Sequence, residues 1–190
     1  LRSPAQPGGT IAEILQNLSF YVHCEPNTLR RMLSAGIPSA QRFGLYTRLV
    51  NAEAVRVTTS AYASLVDMPS FCDSQIELDV ARTFAECKDF ARSSWKASLF
   101  RILHSLSLAL PGIGYCQGLS YVAGFALRIV GGPDAEENAF ILVYSTIVHH
   151  RLGPLYDPHL SGLSTTAAVF ESLLGKFAPR LAKHLRSLGV

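Results

Sequence analysis

Apolar residues recur at helical spacing along most of this chain, and this periodicity limits the fold more than any other feature. The clearest case lies between residues 94 and 110, where large apolar side chains follow every three or four positions: Trp95, Leu99, Ile102, Leu103, Leu106 and Leu110. The best strand candidate, residues 55–59, is too short to build a sheet. The sequence therefore predicts an all-α domain of roughly eight to ten helices.

The chain divides into a short N-terminal extension and one larger domain. Residues 1–9 contain two prolines and two glycines, which is typical of a linker. Thr10 and Glu13 form a capping box that predicts a short helix after it. We assign residues 1–27 to a linker with a flanking helix and residues 28–190 to a helical domain large enough for a hydrophobic core.

Two helices are predicted at the C-terminal end of the chain. One covers residues 164–177, and Pro179 opens the second. On the first of these helices we expect four apolar residues to face inward: Ala167, Phe170, Leu174 and Phe177.

Composition excludes several classes of protein. Hydrophobic residues make up 48% and charged residues 16% of the chain, and the net charge of +3 is spread along it, which argues against nucleic-acid binding. No apolar run is long enough to be a transmembrane segment, and no signal peptide is evident. The four cysteines form no C-x-x-C pair and have no zinc-site spacing, which favours a reduced, cytoplasmic protein.

Two short groups of polar residues are candidates for a functional site. In the first, Asp79 and Arg82 are three positions apart, so that they meet on one face of a helix. In the second, Gln117 follows a turn rich in glycine, and the glycine spacing does not fit a dinucleotide-binding loop. Taken singly, each group has an ordinary alternative: a surface ion pair for Asp79 and Arg82, and a hydrogen bond at a helix start for Gln117.

Three segments in the order found here resemble the motifs of the TBC-domain GTPase-activating proteins for Rab GTPases: Gly36-Ile37-Pro38-x-x-x-Arg42-x-x-x-Tyr46, Ile76-x-x-Asp79-x-x-Arg82-Thr83 and Gly114-Tyr115-Cys116-Gln117-Gly118. The resemblance covers about residues 28–190. Tyr46 stands where the family usually has tryptophan, and Ala85 stands where proline often follows the arginine motif. Three motifs in order are a specific signal, whereas each alone is weak.

This resemblance implies a function carried by two side chains. Arg82 would be an arginine finger, and Gln117 would position the attacking water on a Rab-family small GTPase. Asp79 and Tyr115 would hold these two side chains, with further support from Ile76, Thr83 and Gly118. Arg42 would either contact phosphate or act as a buttress between helices.

The chemistry of these residue types suits phosphoryl transfer. Arginine is always charged and presents a planar fork of donors, and glutamine offers an acceptor and donors without charge. Neither side chain forms a covalent bond, so the domain needs no cofactor of its own, and the partner would carry GTP and magnesium. Two alternatives remain: a catalytically silent TBC-like module that binds a small GTPase or adaptor, and a structural helical domain with accidental motif matches.

The resemblance also bears on the extent and location of the domain. The family's domain normally continues through further helices, so we expect this chain to be truncated at its C-terminal end. We also expect a cytoplasmic protein, with peripheral recruitment to endomembranes provided by regions outside this chain.

Overall fold

The computed structural model describes residues 10–51, 62–88, 90, 92–132 and 134–189. Over these residues the chain forms helices and no strand, which confirms the predicted all-α class. The predicted linker at residues 1–9 and the strand candidate at residues 55–59 lie outside the described residues. The described helices are α1 (Ile11–Gln16), α2 (Leu18–His23), α3 (Pro26–Ser34), α4 (Ser39–Leu49), α5 (Tyr62–Val66), α6 (Asp73–Arg82), α7 (Ser93–Ala109), α8 (Leu119–Val130), α9 (Ala135–His149), α10 (Gly153–Tyr156), α11 (Leu163–Phe177) and α12 (Pro179–Ser187).

Helix α7 lies at the centre of the hydrophobic core. Four residues of its predicted apolar stripe are buried, Leu99, Ile102, Leu103 and Leu106, and the stripe's two ends are partly buried against the same core. Helices α5, α6, α8 and α9 all pack against α7. The helix with the apolar stripe predicted from sequence is therefore the one against which α5, α6, α8 and α9 pack.

A partly buried polar contact holds the start of α6 against α7. Nδ1 of His104, on α7, lies 2.6 Å from Oδ1 of Asp73, the first residue of α6. Nε2 of the same ring lies 3.2 Å from the carbonyl oxygen of Leu65 in α5. His104 is thus a packing residue that joins three helices, and α6 is held at the end opposite Arg82.

The N-terminal helices form a smaller unit beside this core. Thr10 and Glu13 make the predicted capping box, in which each side chain accepts a hydrogen bond from the other's backbone N–H. Ile14, Tyr21 and Leu29 form a separate buried cluster. The N-terminal unit therefore has its own small core and makes no contribution to the candidate site.

Helices α11 and α12 form a hairpin whose main contacts are between these two helices. The expectation that α11 turns its apolar residues inward is wrong, because none of its residues is buried and Phe170 and Phe177 are 62% and 74% exposed. Ala182 of α12 is the buried residue of the hairpin. Among the described helices, none has the length and hydropathy needed to cross a lipid bilayer.

Candidate functional site

Helix α6 presents the first pair of candidate residues. Its buried face carries Ile76, which is fully buried in the main core, and Val80. Because Asp79 and Arg82 are one turn apart, Nη2 of Arg82 reaches to 2.5 Å from Oδ1 of Asp79. The aspartate side chain is 1% exposed, whereas the arginine side chain is 54% exposed. The ion pair thus has a fixed, buried anion and an accessible cation.

The second motif contacts the first through Tyr115. Its hydroxyl donates a hydrogen bond of 2.6 Å to Oδ2 of Asp79. Burial, followed by the hydrogen bond to Asp79, raises the pKa of Tyr115 well above the usual tyrosine value, so the hydroxyl keeps its proton. The other carboxylate oxygen, Oδ1, receives no aligned hydrogen bond among the described residues and has Arg82 as its compensating charge.

Thr83 ends α6 and anchors the backbone directly after Arg82. It has an extended conformation, with φ −69° and ψ 122°, and its side chain is almost fully buried. Its hydroxyl donates to the carbonyl oxygen of Asp79 at 2.7 Å and lies 2.7 Å from the hydroxyl oxygen of Ser120 on α8. The position of the arginine is therefore fixed by both α6 and α8.

The segment after Thr83 consists of turns, and residues 83–88 contain no helix. Phe84 has a positive φ of 48° and packs against Phe90 and Tyr121, with ring centroids 4.7 and 5.1 Å apart. The absence of a side chain at Gly124 makes room for this packing, because a Cβ there would lie 3.0 Å from the Phe90 ring and 3.1 Å from the Phe84 ring. This aromatic cluster holds the segment after Arg82 against α8.

A glycine-rich turn presents Gln117 just before α8. Gly114 and Gly118 have φ values of 62° and 94°, which side chains rarely adopt, and the backbone N–H of Leu119 donates to the carbonyl of Cys116 at 3.1 Å. Gln117 is exposed, and within the described part of the chain its side-chain amide makes no hydrogen bond. The alternative of a hydrogen bond at the helix start is therefore not realised, and the amide is available to a partner.

The two motifs meet in one open depression of about 570 Å³, lined by Asp79, Arg82, Cys116, Gln117, Gly118, Ser120, Tyr121 and Leu160. Burial raises the pKa of the Cys116 thiol, which keeps it in its unreactive, protonated form. The remaining supporting residues, Ile76, Thr83 and Tyr115, lie beneath or beside this surface. Among the described residues, no group of three or more His, Cys, Asp or Glu side chains is placed to hold a metal ion.

The last of the predicted site residues, Arg42, is separate from the residues described above. Arg42 is on α4, and its Nε donates a hydrogen bond of 2.8 Å to the carbonyl oxygen of Ile37. In this position the side chain caps the backbone before its own helix, and it does not line the surface that contains Arg82 and Gln117.

Sequence reasoning missed three residues of the site: Ser120, Tyr121 and Leu160. Ser120 interrupts an apolar run, and this was a weak signal that its hydroxyl has a specific hydrogen-bond partner. Nothing near Leu160 in the sequence indicated that it would lie close to a turn more than forty residues earlier.

Comparison with solved structures supports the fold. The chain is similar to the structure of the Chlamydomonas flagellar RabGAP TBC domain, with a TM-score of 0.68, 22% identity, and coverage of 93% of this chain and 61% of that one. It is also similar to the Ypt/Rab-GAP domain of Gyp1p, with a TM-score of 0.58, 16% identity, and coverage of 94% and 69%.

The chain is also similar in sequence to curated proteins of this kind. TBC1 domain family member 2A from Rattus norvegicus is 32% identical over 83% of this chain and 17% of its own length. Rab GTPase-activating protein eat-17 from Caenorhabditis elegans is 27% identical over 93% of this chain and 20% of its own length. The chain thus spans about a fifth of the length of these relatives. Residues 46–190 match the family model for the Rab-GTPase-TBC domain, and the chain belongs to that family.

Proposed function

We propose that this domain accelerates the hydrolysis of GTP bound to a Rab-family small GTPase, and that it does so by supplying Arg82 and Gln117 in trans. The observation that carries the proposal is the arrangement of the depression. Both side chains are accessible and line the same surface, while Asp79, which supports the arginine, is buried beneath it. Family membership supports the class of partner.

Arg82 would stabilise the negative charge that develops on the transferred phosphoryl group. A guanidinium has five N–H donors, and the contact with Asp79 is made through Nη2, so other donors of the 54% exposed side chain can meet phosphate oxygens. Asp79 is buried and accepts a hydrogen bond from Tyr115, which gives the carboxylate a fixed position beside the arginine. The arginine can therefore be oriented before the partner arrives, which reduces the cost of positioning it in the complex.

Gln117 would orient the attacking water. Its side-chain carbonyl accepts a hydrogen bond from water and its amide donates one, without adding a charge near the nucleophile. The turn bounded by Gly114 and Gly118 directs this side chain to the same depression as Arg82. The partner would supply GTP and magnesium, so this domain contributes positioning and charge only.

The domain would act in the cytoplasm, and regions outside this chain would provide any recruitment to endomembranes. The measurement that tests the proposal is single-turnover GTP hydrolysis across a panel of Rab proteins. On a responsive Rab, we expect Arg82→Ala to reduce the stimulated rate by at least about a hundredfold, given that an arginine finger is worth about 10³–10⁵ in rate. We expect Gln117→Ala also to reduce this rate, because the attacking water is no longer oriented.

A matched control for Arg82→Ala is Arg186→Ala. Arg186 is also exposed and paired with a carboxylate, Glu171 at 3.4 Å, but it lies on α12 outside the depression. This variant should stimulate hydrolysis as well as the parent does. Binding of GTP-loaded Rab without any acceleration would instead support a catalytically silent binding module.

A further inference from the structure

The loop between α10 and α11 is held in one conformation by Asp157. Oδ1 of this aspartate accepts backbone N–H groups from His159 at 3.0 Å and Ser161 at 2.9 Å, and Oδ2 accepts the hydroxyl of Ser161. The hydrogen bonds from Ser161 lower the pKa of Asp157, so it remains an anion and a strong acceptor. The backbone on both sides of Leu160 is therefore fixed.

The far end of this loop is closed by a tight approach of two backbone segments. The N–H of Gly162 donates to the carbonyl oxygen of Pro154 at 2.8 Å. A Cβ at Gly162 would lie 2.8 Å from Cβ of Pro154 and 3.1 Å from its carbonyl carbon. Only glycine fits this contact without a shift, so the closure at Gly162 adds a second constraint to that from Asp157.

Leu160, between these two constraints, has a strained backbone. Its φ is 49°, in the left-handed region that leucine rarely adopts. Glycine or asparagine would adopt this conformation at lower cost. The leucine side chain is 40% exposed, so burial within the free protein does not compensate fully for the strain. Strained residues of this kind concentrate where a side chain must be presented to a ligand.

The side chain of Leu160 lines the depression that contains Arg82 and Gln117. Tyr121, which is 47% exposed, provides a second apolar surface in the same depression. The polar groups of the site are thus bordered by accessible apolar side chains. When a partner covers them, these side chains exclude water from beside the arginine, which strengthens its electrostatic interactions.

We propose that Leu160 is a contact residue for the bound GTPase, one that contributes to affinity by packing its apolar side chain against the partner beside Arg82 and Gln117. This inference rests on the proposed function. It assigns to Leu160 no part in the chemistry, so the residue should act on formation of the complex and not on the hydrolytic step.

The test is single-turnover hydrolysis over a range of Rab concentrations, with Leu160→Gly, Leu160→Ala and Leu160→Met. Glycine and alanine both remove the apolar side chain, and we expect each to raise KM for the Rab about tenfold while leaving kcat within about twofold. Methionine retains an apolar side chain of similar size, and its KM should stay close to that of the parent. Leu160→Gly should also unfold at the same or a higher temperature, because glycine relieves the positive φ.

The matched control is Arg151→Gly. Arg151 has a φ of 53° and is exposed, but it lies at the end of α9 outside this depression, so glycine relieves the same kind of strain there. We expect KM to be unchanged in this variant. If a parent domain that depends on Arg82 for its activity keeps its KM after Leu160→Gly and Leu160→Ala, the role of Leu160 is wrong and the proposed function stands. A parent that neither binds nor stimulates any Rab would overturn both proposals.

Discussion

Tyr115 and Asp79 are 36 positions apart in the chain, and the tyrosine hydroxyl donates a hydrogen bond of 2.6 Å to the buried aspartate carboxylate. Through this bond the glutamine motif supports the arginine motif. Oδ2 of Asp79 accepts the hydrogen bond from Tyr115, and Oδ1 forms the ion pair with Arg82. A substitution at Tyr115 should therefore alter how firmly Asp79 holds the Arg82 side chain.

The first prediction concerns this hydrogen bond. Tyr115→Phe leaves Oδ2 of the buried Asp79 without its donor, which should lower the free energy of unfolding by about 1–3 kcal/mol. The aspartate should then hold Arg82 less well, so the stimulated hydrolysis rate should fall by roughly tenfold, with a smaller change in KM. Urea unfolding and single-turnover kinetics would measure the two effects.

Tyr144→Phe is the control for removal of a tyrosine hydroxyl. Tyr144 is partly buried on α9, and within the described part of the chain its hydroxyl has no hydrogen bond. The free energy of unfolding and the stimulated hydrolysis rate of Tyr144→Phe should stay near the parental values. Equal losses in the two variants would mean that the bond between Tyr115 and Asp79 has no special role.

The second prediction separates charge from geometry at Arg82. Arg82→Lys keeps a cation near Asp79, so the free energy of unfolding should change by less than about 1 kcal/mol, given that the arginine side chain is 54% exposed. Lysine lacks the planar fork that contacts a carboxylate and phosphate oxygens together. We therefore expect a stimulated rate close to that of Arg82→Ala. Recovery of most of the parental rate by lysine would contradict the proposed geometry.

The third prediction compares two glycines in the connection between α7 and α8. Gly118 has a φ of 94°, and alanine there should cost about 1–2 kcal/mol of stability and displace Gln117. Gly112 lies earlier in the same connection, in the turn directly after α7; its φ is not positive, and a Cβ added to it meets no atom within 4 Å. Gly112→Ala should therefore be neutral in thermal unfolding and in stimulated hydrolysis. Equal unfolding temperatures and equal stimulated rates for the two variants would contradict the role assigned to Gly118.

Local parts of this site were predictable from sequence because they depend on short-range geometry. A spacing of three on a helix brings Asp79 and Arg82 together, and the stripe that includes Leu103 was evident as an amphipathic pattern. The glycines around Gln117 indicated a turn for the same reason: a positive φ is a property of a single residue.

Contacts between distant segments were not predictable in this way. The pairing of Thr83 with Ser120 and the packing of Phe84 over Gly124 depend on how α6 and α8 are placed in three dimensions. The exposure of Phe170 was missed because periodicity identifies an apolar face and does not reveal whether another element covers it.

A second, partly buried polar cluster joins three helices of the core, α5, α7 and α9. Tyr62 on α5 donates to Oε1 of Glu136 on α9 at 2.6 Å. Arg101 on α7 donates to both oxygens of the same carboxylate, from Nε at 2.7 Å and from Nη2 at 2.6 Å. Burial opposes the ionisation of Glu136, but the hydrogen bonds from Arg101 and Tyr62 outweigh it and hold the pKa of Glu136 below its usual value of 4.5.

The last prediction is the pH dependence of stability that follows from this cluster. Because the pKa of Glu136 is lower in the folded state than in the unfolded state, its ionisation stabilises the fold fully at pH values above 4.5, and this contribution is lost as the pH falls through the folded-state pKa. Near pH 7, Glu136→Gln should lower the free energy of unfolding by about 1–2 kcal/mol, since the charged hydrogen bonds to Arg101 are lost. At about pH 3 the difference between the parent and this variant should shrink, because the parent's carboxyl group is then increasingly protonated. Glu137→Gln, at an exposed neighbouring position on α9, should be close to neutral at both pH values. Urea unfolding of the three proteins at several pH values measures these differences, and a gap for Glu136→Gln that stays constant or widens in acid would mean that its charge does not stabilise the fold.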